Sequence, residues 1–417
     1  MAEPKLPPAS PSLASSRNRP FNTLIALAFW AIAAAALWLM RVEPALNDVP
    51  AGFMQQLERG VLEDGSTPLR TRYTGVAGLD AALAGLVAAF VAGPAGFDAG
   101  VRAQQMHCQQ FADPRMSRAV LISFFAVVAV WAVEASRRRS AGRAMVWTPL
   151  FGFLYQTVGG AVVVPLFYVA YVAASRDDDA YHRSGRELRP GYARALLPAT
   201  VLGYLVPTLA MFAHGYWGRN LHVTQALIAF WQPAPLLVDA LLAVFASVLP
   251  WFPPSSASSS SLTPVSRASA RAPPKNGDVP HLKRLYLVAG LVSVAAHVGT
   301  LYACLSSSDP RLSLRHVFVP DRSTWRDGPT PGLHWIFQWD WWGIVASSLL
   351  WCWVVVADAL RLLHGRENVA ASRLVGVAVG IVALALVAGP GTAIAAVWSW
   401  REDKLVMIEE GRRPKVA

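Results

Sequence analysis

Residues 21–40 read FNTLIALAFWAIAAAALWLM, a run without a single charge. A helix rises about 1.5 Å per residue, so this run reaches about 30 Å, the thickness of a bilayer's hydrocarbon core. It is longer than the apolar stretch of a cleavable leader and follows a segment rich in Pro and Ser, so it reads as a retained first span. The rest of the chain repeats the pattern. Of 417 residues, 54% are hydrophobic and 15% charged, whereas a soluble domain carries about 25% charged residues. The charges collect in short connections and leave long apolar runs between them. The fold class is therefore all-α, a polytopic transmembrane helical bundle of about 8–9 spans. Spans are expected near 21–40, 79–97, 118–135, 147–174, 195–214, 222–252, 285–305, 336–360 and 370–399. Pro233 and Pro235 remove backbone donors inside the run 222–252, which predicts a kink or break there.

The expected organisation begins with a disordered tail at 1–20 and six spans over 21–252. A Ser/Pro-rich linker at 253–283 cannot bury a core. Three more spans occupy 284–400, with a polar connection at 306–335, and a basic tail closes the chain at 401–417. No internal repeat is visible. The net charge of +11 comes largely from Arg residues flanking spans, which suits lipid headgroups rather than nucleic acid. Arg137, Arg138 and Arg139 should face the cytosol, as should Lys5, Arg17 and Arg19. Nine spans cannot put both groups on one side, so one run is re-entrant or miscounted.

An ionisable side chain at mid-membrane costs roughly 2.5–3.5 kcal/mol on insertion scales. Each one in an apolar run therefore needs a partner or a task. The candidates are Asp80, Asp98, Glu134, Asp239, Asp340 and Asp358, with His107, His214 and His297. Asp340 lies in Phe337-Gln338-Trp339-Asp340-Trp341-Trp342 at the entrance of a long apolar run. A carboxyl group among indoles loses hydration, which favours its neutral form, and a neutral acid can donate a proton. The plain alternative is an interfacial acid in an aromatic belt. Glu134 precedes Arg137 and Arg138 by about one helical turn, so a helix-end salt bridge competes with an acid aimed into the bundle. Asp239 has no basic neighbour on its own helix and stays open between structure and function. Asp358 and Asp80 have helix-end explanations, and Asp98 reads as interfacial. His107, in Gln104-Gln105-Met106-His107, has polar neighbours but no metal-like spacing.

Several chemistries are excluded. No HExxH or His-box pattern, GxSxG, Walker or GxGxxG motif stands in a suitable context. Asp177, Asp178 and Asp179 are adjacent rather than spaced, and no second Asp-rich motif accompanies them, which argues against a metal–diphosphate site. Cys108, Cys304 and Cys352 form no paired framework. What remains is buried acids, Gln156 and Gln232 within spans, and 16 Trp. That set suits a hydrophobic substrate reacting through a carbocation. An acid protonates an epoxide or alkene, indole faces stabilise positive charge, and a dry cavity delays quenching by water.

Several stretches, taken in order, carry a resemblance. They are Tyr73-Thr74-Gly75-Val76-Ala77-Gly78-Leu79-Asp80, Trp131 to Glu134 with Ser136-Arg137-Arg138, Leu154-Tyr155-Gln156, Val164-Pro165-Leu166, Leu202-Gly203-Tyr204-Leu205-Val206-Pro207, Trp231-Gln232-Pro233 and Phe337-Gln338-Trp339-Asp340. Together the chain resembles fungal integral-membrane terpene cyclases of meroterpenoid gene clusters, of the ascochlorin/ascofuranone and macrophorin kind. The family pattern favours Tyr before the last Asp, where this chain has Trp339. The resemblance implies proton-initiated cyclisation of a farnesyl chain on a prenylated aromatic or polyketide acceptor. It implies no metal and no cofactor, and an integral membrane location, expected to be the endoplasmic reticulum. Asp340 and Glu134 would be the acid and its partner, in an order left open. Asp80, His107, Gln156, Gln232, Gln338, Trp339 and Trp341 would line or orient the substrate. The rival readings are a transporter for a hydrophobic metabolite, which would need a polar pathway, and a membrane scaffold, which would need no enclosed cavity.

Overall fold

The computed structural model describes residues 18–108, 124–213, 220–248, 275–365 and 369–411, without the side chains of 106–108, 183 and 184. Among these residues every extended element is helical, and strand-like pairing is limited to isolated bridges, Asn18 with Asp177 and Val61 with Pro68. Among the described residues, five helices are long and apolar enough to cross a bilayer: Asn22–Leu46, Pro190–Phe212, Val279–Ser306, Pro329–His364 and Ala371–Ala388. Leu221–Trp231 and Ala234–Val248 meet at 61° across the expected proline break and make a sixth if they form one span. Among the described residues this is fewer than the 8–9 spans expected, and the expected run at 118–135 begins outside them. Apolar runs overstate helix length here. The run at 147–174 breaks at Gly159, whose φ of +119° is accessible mainly to glycine. It yields Thr148–Val158 and Gly160–Ala174 in place of one long helix. The run at 370–399 breaks in the same way at Gly389 into Ala371–Ala388 and Pro390–Glu409. Ala77–Phe90, Phe125–Ser136 and Gly160–Ala174 are apolar but short.

Gly160–Ala174 is largely buried at the centre, packed against Asn22–Leu37 and Pro329–His364. An aromatic column runs through this core. Trp131 stacks on Phe167 at 4.4 Å, Tyr168 on Trp351 at 4.2 Å, and Trp351 meets Trp398 at 4.1 Å. The outward faces carry exposed Leu24, Leu27 and Trp30 on the first helix and Val375, Val379 and Leu386 on Ala371–Ala388. Apolar faces of this extent are stable against lipid.

One end of the bundle is closed by buried charge. Arg19 donates to Asp358 at 2.6 Å, to the Val172 carbonyl at 3.0 Å and to Ser175 Oγ at 2.7 Å. Arg143 donates to the Ala174 carbonyl at 2.8 Å. The start of the first helix and the Arg137–Arg139 run therefore share the end where Gly160–Ala174 finishes, which removes the orientation conflict. Residues 1–17 of the expected N-terminal tail lie outside the described residues. Arg19 is 5% exposed and part of the fold. Helix Pro390–Glu409 continues past 400, with Arg401 and Glu402 buried. Most of the expected linker lies outside the described residues, and helix Val279–Ser306 begins inside its range.

Candidate active site

The site forms where two helices touch. A Cβ on Gly343 would lie 2.5 Å from Ala161 Cβ, so the bare glycine lets Pro329–His364 close onto Gly160–Ala174. One turn earlier, that approach seats Asp340 on the N-terminus of Gly160–Ala174. Asp340 Oδ1 accepts the Ala161 N–H at 2.7 Å, with the Gly160 N–H beside it. The first N–H groups of a helix lack internal partners and form the positive end of its dipole. A Cβ on Gly159 would lie 3.3 Å from Asp340 Oδ1 and 3.9 Å from Arg41 Nη2, so only glycine leaves this seat open. Arg41 donates to the Val158 carbonyl at 2.9 Å and to the Thr157 carbonyl at 3.3 Å, and so stays beside the carboxyl group. Helix terminus, guanidinium and apolar walls thus meet at one carboxyl group.

Two chambers meet at Asp340. The larger holds about 360 Å³, within the roughly 300–1,000 Å³ of small-molecule sites. Phe53, Phe90, Trp231 and Phe337 line it, with Gln104, Gln105 and Gln156 as polar groups. The smaller holds about 70 Å³ and is mostly apolar, with Val127, Ile344 and Ile394 in its wall. Tyr155 and Asp340 line both. Helical periodicity explains the division. Leu333, Ile336, Phe337 and Asp340 face the larger chamber, and Trp341, Ile344, Val345 and Ser348 face the smaller.

Of the residues singled out in the sequence, the structure brings Asp340, Gln156 and Trp341 to these chambers. Gln156 also donates to the Gln232 carbonyl at 3.1 Å, beside the proline break that leaves this carbonyl in need of a donor. The Gln232 side chain lines neither chamber. Glu134 does not join Asp340. It is fully buried in the charged end and accepts from Arg137 at 2.8 Å, Arg401 at 2.9 Å, Trp398 Nε1 at 3.0 Å, and from Arg139. Arg137 also pairs with buried Glu402. Of the two arginines expected to pair with Glu134, Arg137 does and Arg138 pairs with Glu187 instead, while Arg139 and Arg401 complete the set.

Asp80 is a turn-closing residue. Its carboxylate accepts from the backbone N–H groups of Tyr73, Thr74 and Gly75 at 3.1, 2.7 and 3.1 Å. Gln338 donates to the carbonyls of His316 and Val317 at 2.7 and 3.2 Å, fixing helix Leu314–Phe318 rather than facing a chamber. Trp339 packs edge-on against Trp335 at 5.9 Å and lines neither chamber. The His107 side chain and His214 lie outside the described residues. Asp239 lines a separate cavity at the charged end with Arg137, Arg138 and Arg189. Asp358 has Arg19 as its main partner, and Arg361 stands 3.9 Å away. Sequence reasoning missed Arg41, Tyr155, Gln105 and Gly159. Tyr155 stood inside a quoted motif, and Arg41 immediately follows the first apolar run.

This half-buried acid between two chambers belongs with a wider match. The CtvD domain model matches residues 22–407. The chain belongs to the CtvD-domain family. It is 26% identical to terpene cyclase ascI of Acremonium egyptiacum over 87% of each chain. It is 28% identical to terpene cyclase DEP1 of Alternaria brassicicola, covering 81% of this chain and 88% of that one. It is also 26% identical to the FAD-dependent monooxygenase verC1 of Penicillium polonicum, over 67% of this chain and 31% of that protein. No solved structure matches. The resemblance to fungal membrane terpene cyclases is thus borne out, and these relatives support terpenoid cyclisation as the activity.

Proposed function

We propose that this protein is a membrane-bound, proton-initiated terpene cyclase with Asp340 as its acid. The observation that carries the reading is the seat of Asp340, at the junction of two chambers and on a helix N-terminus. Proton transfer from Asp340 to an epoxide oxygen breaks a C–O bond and leaves a cation on carbon. Neighbouring alkenes of a farnesyl-type chain close rings by forming new C–C bonds. The last cation gives up a proton, which restores the one Asp340 spent, so the net change is an isomerisation. After donation the Asp340 carboxylate keeps the Ala161 N–H, whose dipole stabilises the charge left behind. Tyr155, Phe90, Trp231 and Phe337 line the chamber in which the cationic intermediates would form, and aromatic rings stabilise positive charge. An epoxide is preferred to a bare alkene because the verC1 monooxygenase carries a segment similar to this chain within a longer protein.

Glu134 takes no part in the proton transfer in this reading and holds the charged end together. That end, rich in Arg, faces the cytosol, and the endoplasmic reticulum is the proposed membrane. A chamber of small-molecule size beside an acid favours an enzyme over a scaffold. The test uses microsomes from a heterologous host expressing the full chain, fed a farnesyl arene and its terminal epoxide with EDTA present. Cyclic isomers of the substrate are expected. Recovery of unchanged substrate from microsomes that contain the folded protein would count against the proposal.

A further inference from the structure

Gln105 is 4% exposed on the wall of the larger chamber. Its amide nitrogen and oxygen have no hydrogen-bond partner among the described residues. A buried amide left unpaired is costly and needs an explanation. Its place is also built. A Cβ on Gly93 would lie 2.1 Å from Gln105 Oε1, so the bare glycine makes the notch that the amide fills. The preceding residue behaves differently. Gln104 donates to the Phe337 carbonyl at 2.9 Å and ties helix Ala99–Cys108 to the Asp340 helix.

An amide offers one acceptor and one donor group, so its complement is a ligand group that both donates and accepts. The neighbouring walls, Phe53, Phe90, Trp231 and Phe337, have no such group to offer a polar ligand and suit a hydrocarbon chain. Gln105 lines only the larger chamber, whereas the smaller is lined mostly by apolar side chains beyond Asp340. We propose that Gln105 is a specificity-determining residue that hydrogen-bonds a hydroxylated head of the substrate. It thereby orients the chain with its terminal isoprene unit at Asp340 and in the smaller chamber. This assignment rests on the cyclase reading for the identity of the chain, but its own content is head recognition.

The test measures equilibrium binding of 2-farnesylhydroquinone and of its dimethyl ether to the full-length protein in lipid nanodiscs. The Asp340→Asn protein is used so that no turnover intervenes. The hydroquinone is expected to bind ~10- to 100-fold more tightly than the ether, the range of a buried amide satisfied or left unpaired. Adding Gln105→Leu should erase the difference by weakening only the hydroquinone. Adding Gly93→Ala, which keeps the amide but displaces it, should erase it as well and serves where the Leu variant does not fold. Equal binding of the two probes by the parent, or a preference that survives in a folded Gln105→Leu or Gly93→Ala protein, would overturn the proposal. A wild-type protein that shows the preference but cyclises neither a farnesyl arene nor its epoxide would instead overturn the role of Asp340.

Discussion

Glu134→Gln keeps the shape of the side chain and removes one negative charge from the buried end of the bundle. In the parent, Arg137, Arg139 and Arg401 all converge on Glu134. After the exchange, Glu402 is the remaining carboxylate in that cluster, paired with Arg137 and 3.8 Å from Arg401. Both acids and Arg137 and Arg401 are fully buried, so water does not compensate. Removing one partner of a buried ion pair costs about 3–5 kcal/mol. The Gln oxygen can still accept a hydrogen bond, which places this case near the lower limit, about 3 kcal/mol, or roughly 100-fold in the folded ratio. The assay follows monodisperse protein by fluorescence size exclusion after stepwise heating in detergent, alongside product formed per folded molecule. The variant should lose heat resistance and accumulate poorly while each folded molecule cyclises at the parental rate. A Glu134→Gln protein as heat-resistant as the parent but inactive would refute the structural assignment and return Glu134 to the chemistry.

Asp80→Ala leaves the N–H groups of Tyr73, Thr74 and Gly75 without their acceptor, and should destabilise this helix start by ~1–2 kcal/mol. Faster tryptic cleavage at exposed Arg72, with activity per folded molecule retained, is the expected outcome. Gly159→Ala brings a Cβ within 2.6 Å of Met40 Cε and 3.3 Å of Asp340 Oδ1 at a φ of +119°. It should lower kcat/KM at least ~10-fold by moving the acid, a loss worth about 1.4 kcal/mol. Arg19→Met should reduce heat resistance, because Asp358 loses its ion partner in a buried setting. Reporter tags at the N-terminus and in the segment 138–143 should report the same side of the membrane, and tags on opposite sides would contradict the fold.

Composition made the helical bundle legible, because long charge-free runs have few other solutions. It did not give the span number. Gly159 and Gly389 interrupt apolar runs through backbone conformation, and a hydropathy pattern carries no record of φ. The Pro233 break was readable because proline removes a donor whatever its surroundings. Asp340 was readable as an isolated acid among aromatic residues. Glu134 was not separable from it on sequence, since two of its partners, Trp398 and Arg401, lie more than 260 positions away. Gln338 and Trp339 adjoin Asp340 in sequence, yet helical rotation points them elsewhere. Arg41 and Tyr155 come from two other helices, and no local sequence pattern announces that they meet at Asp340.

Asp340→Asn tests the assigned acid most directly. The exchange preserves the size of the side chain and removes its capacity to donate a carboxylic proton. The measurement is cyclised product from microsomes given a farnesyl arene epoxide, normalised to folded protein by fluorescence size exclusion. Parental amounts of folded, membrane-inserted protein and no cyclised product are expected, with Asp340→Glu recovering part of it. Cyclisation at the parental rate by folded Asp340→Asn would contradict the central claim.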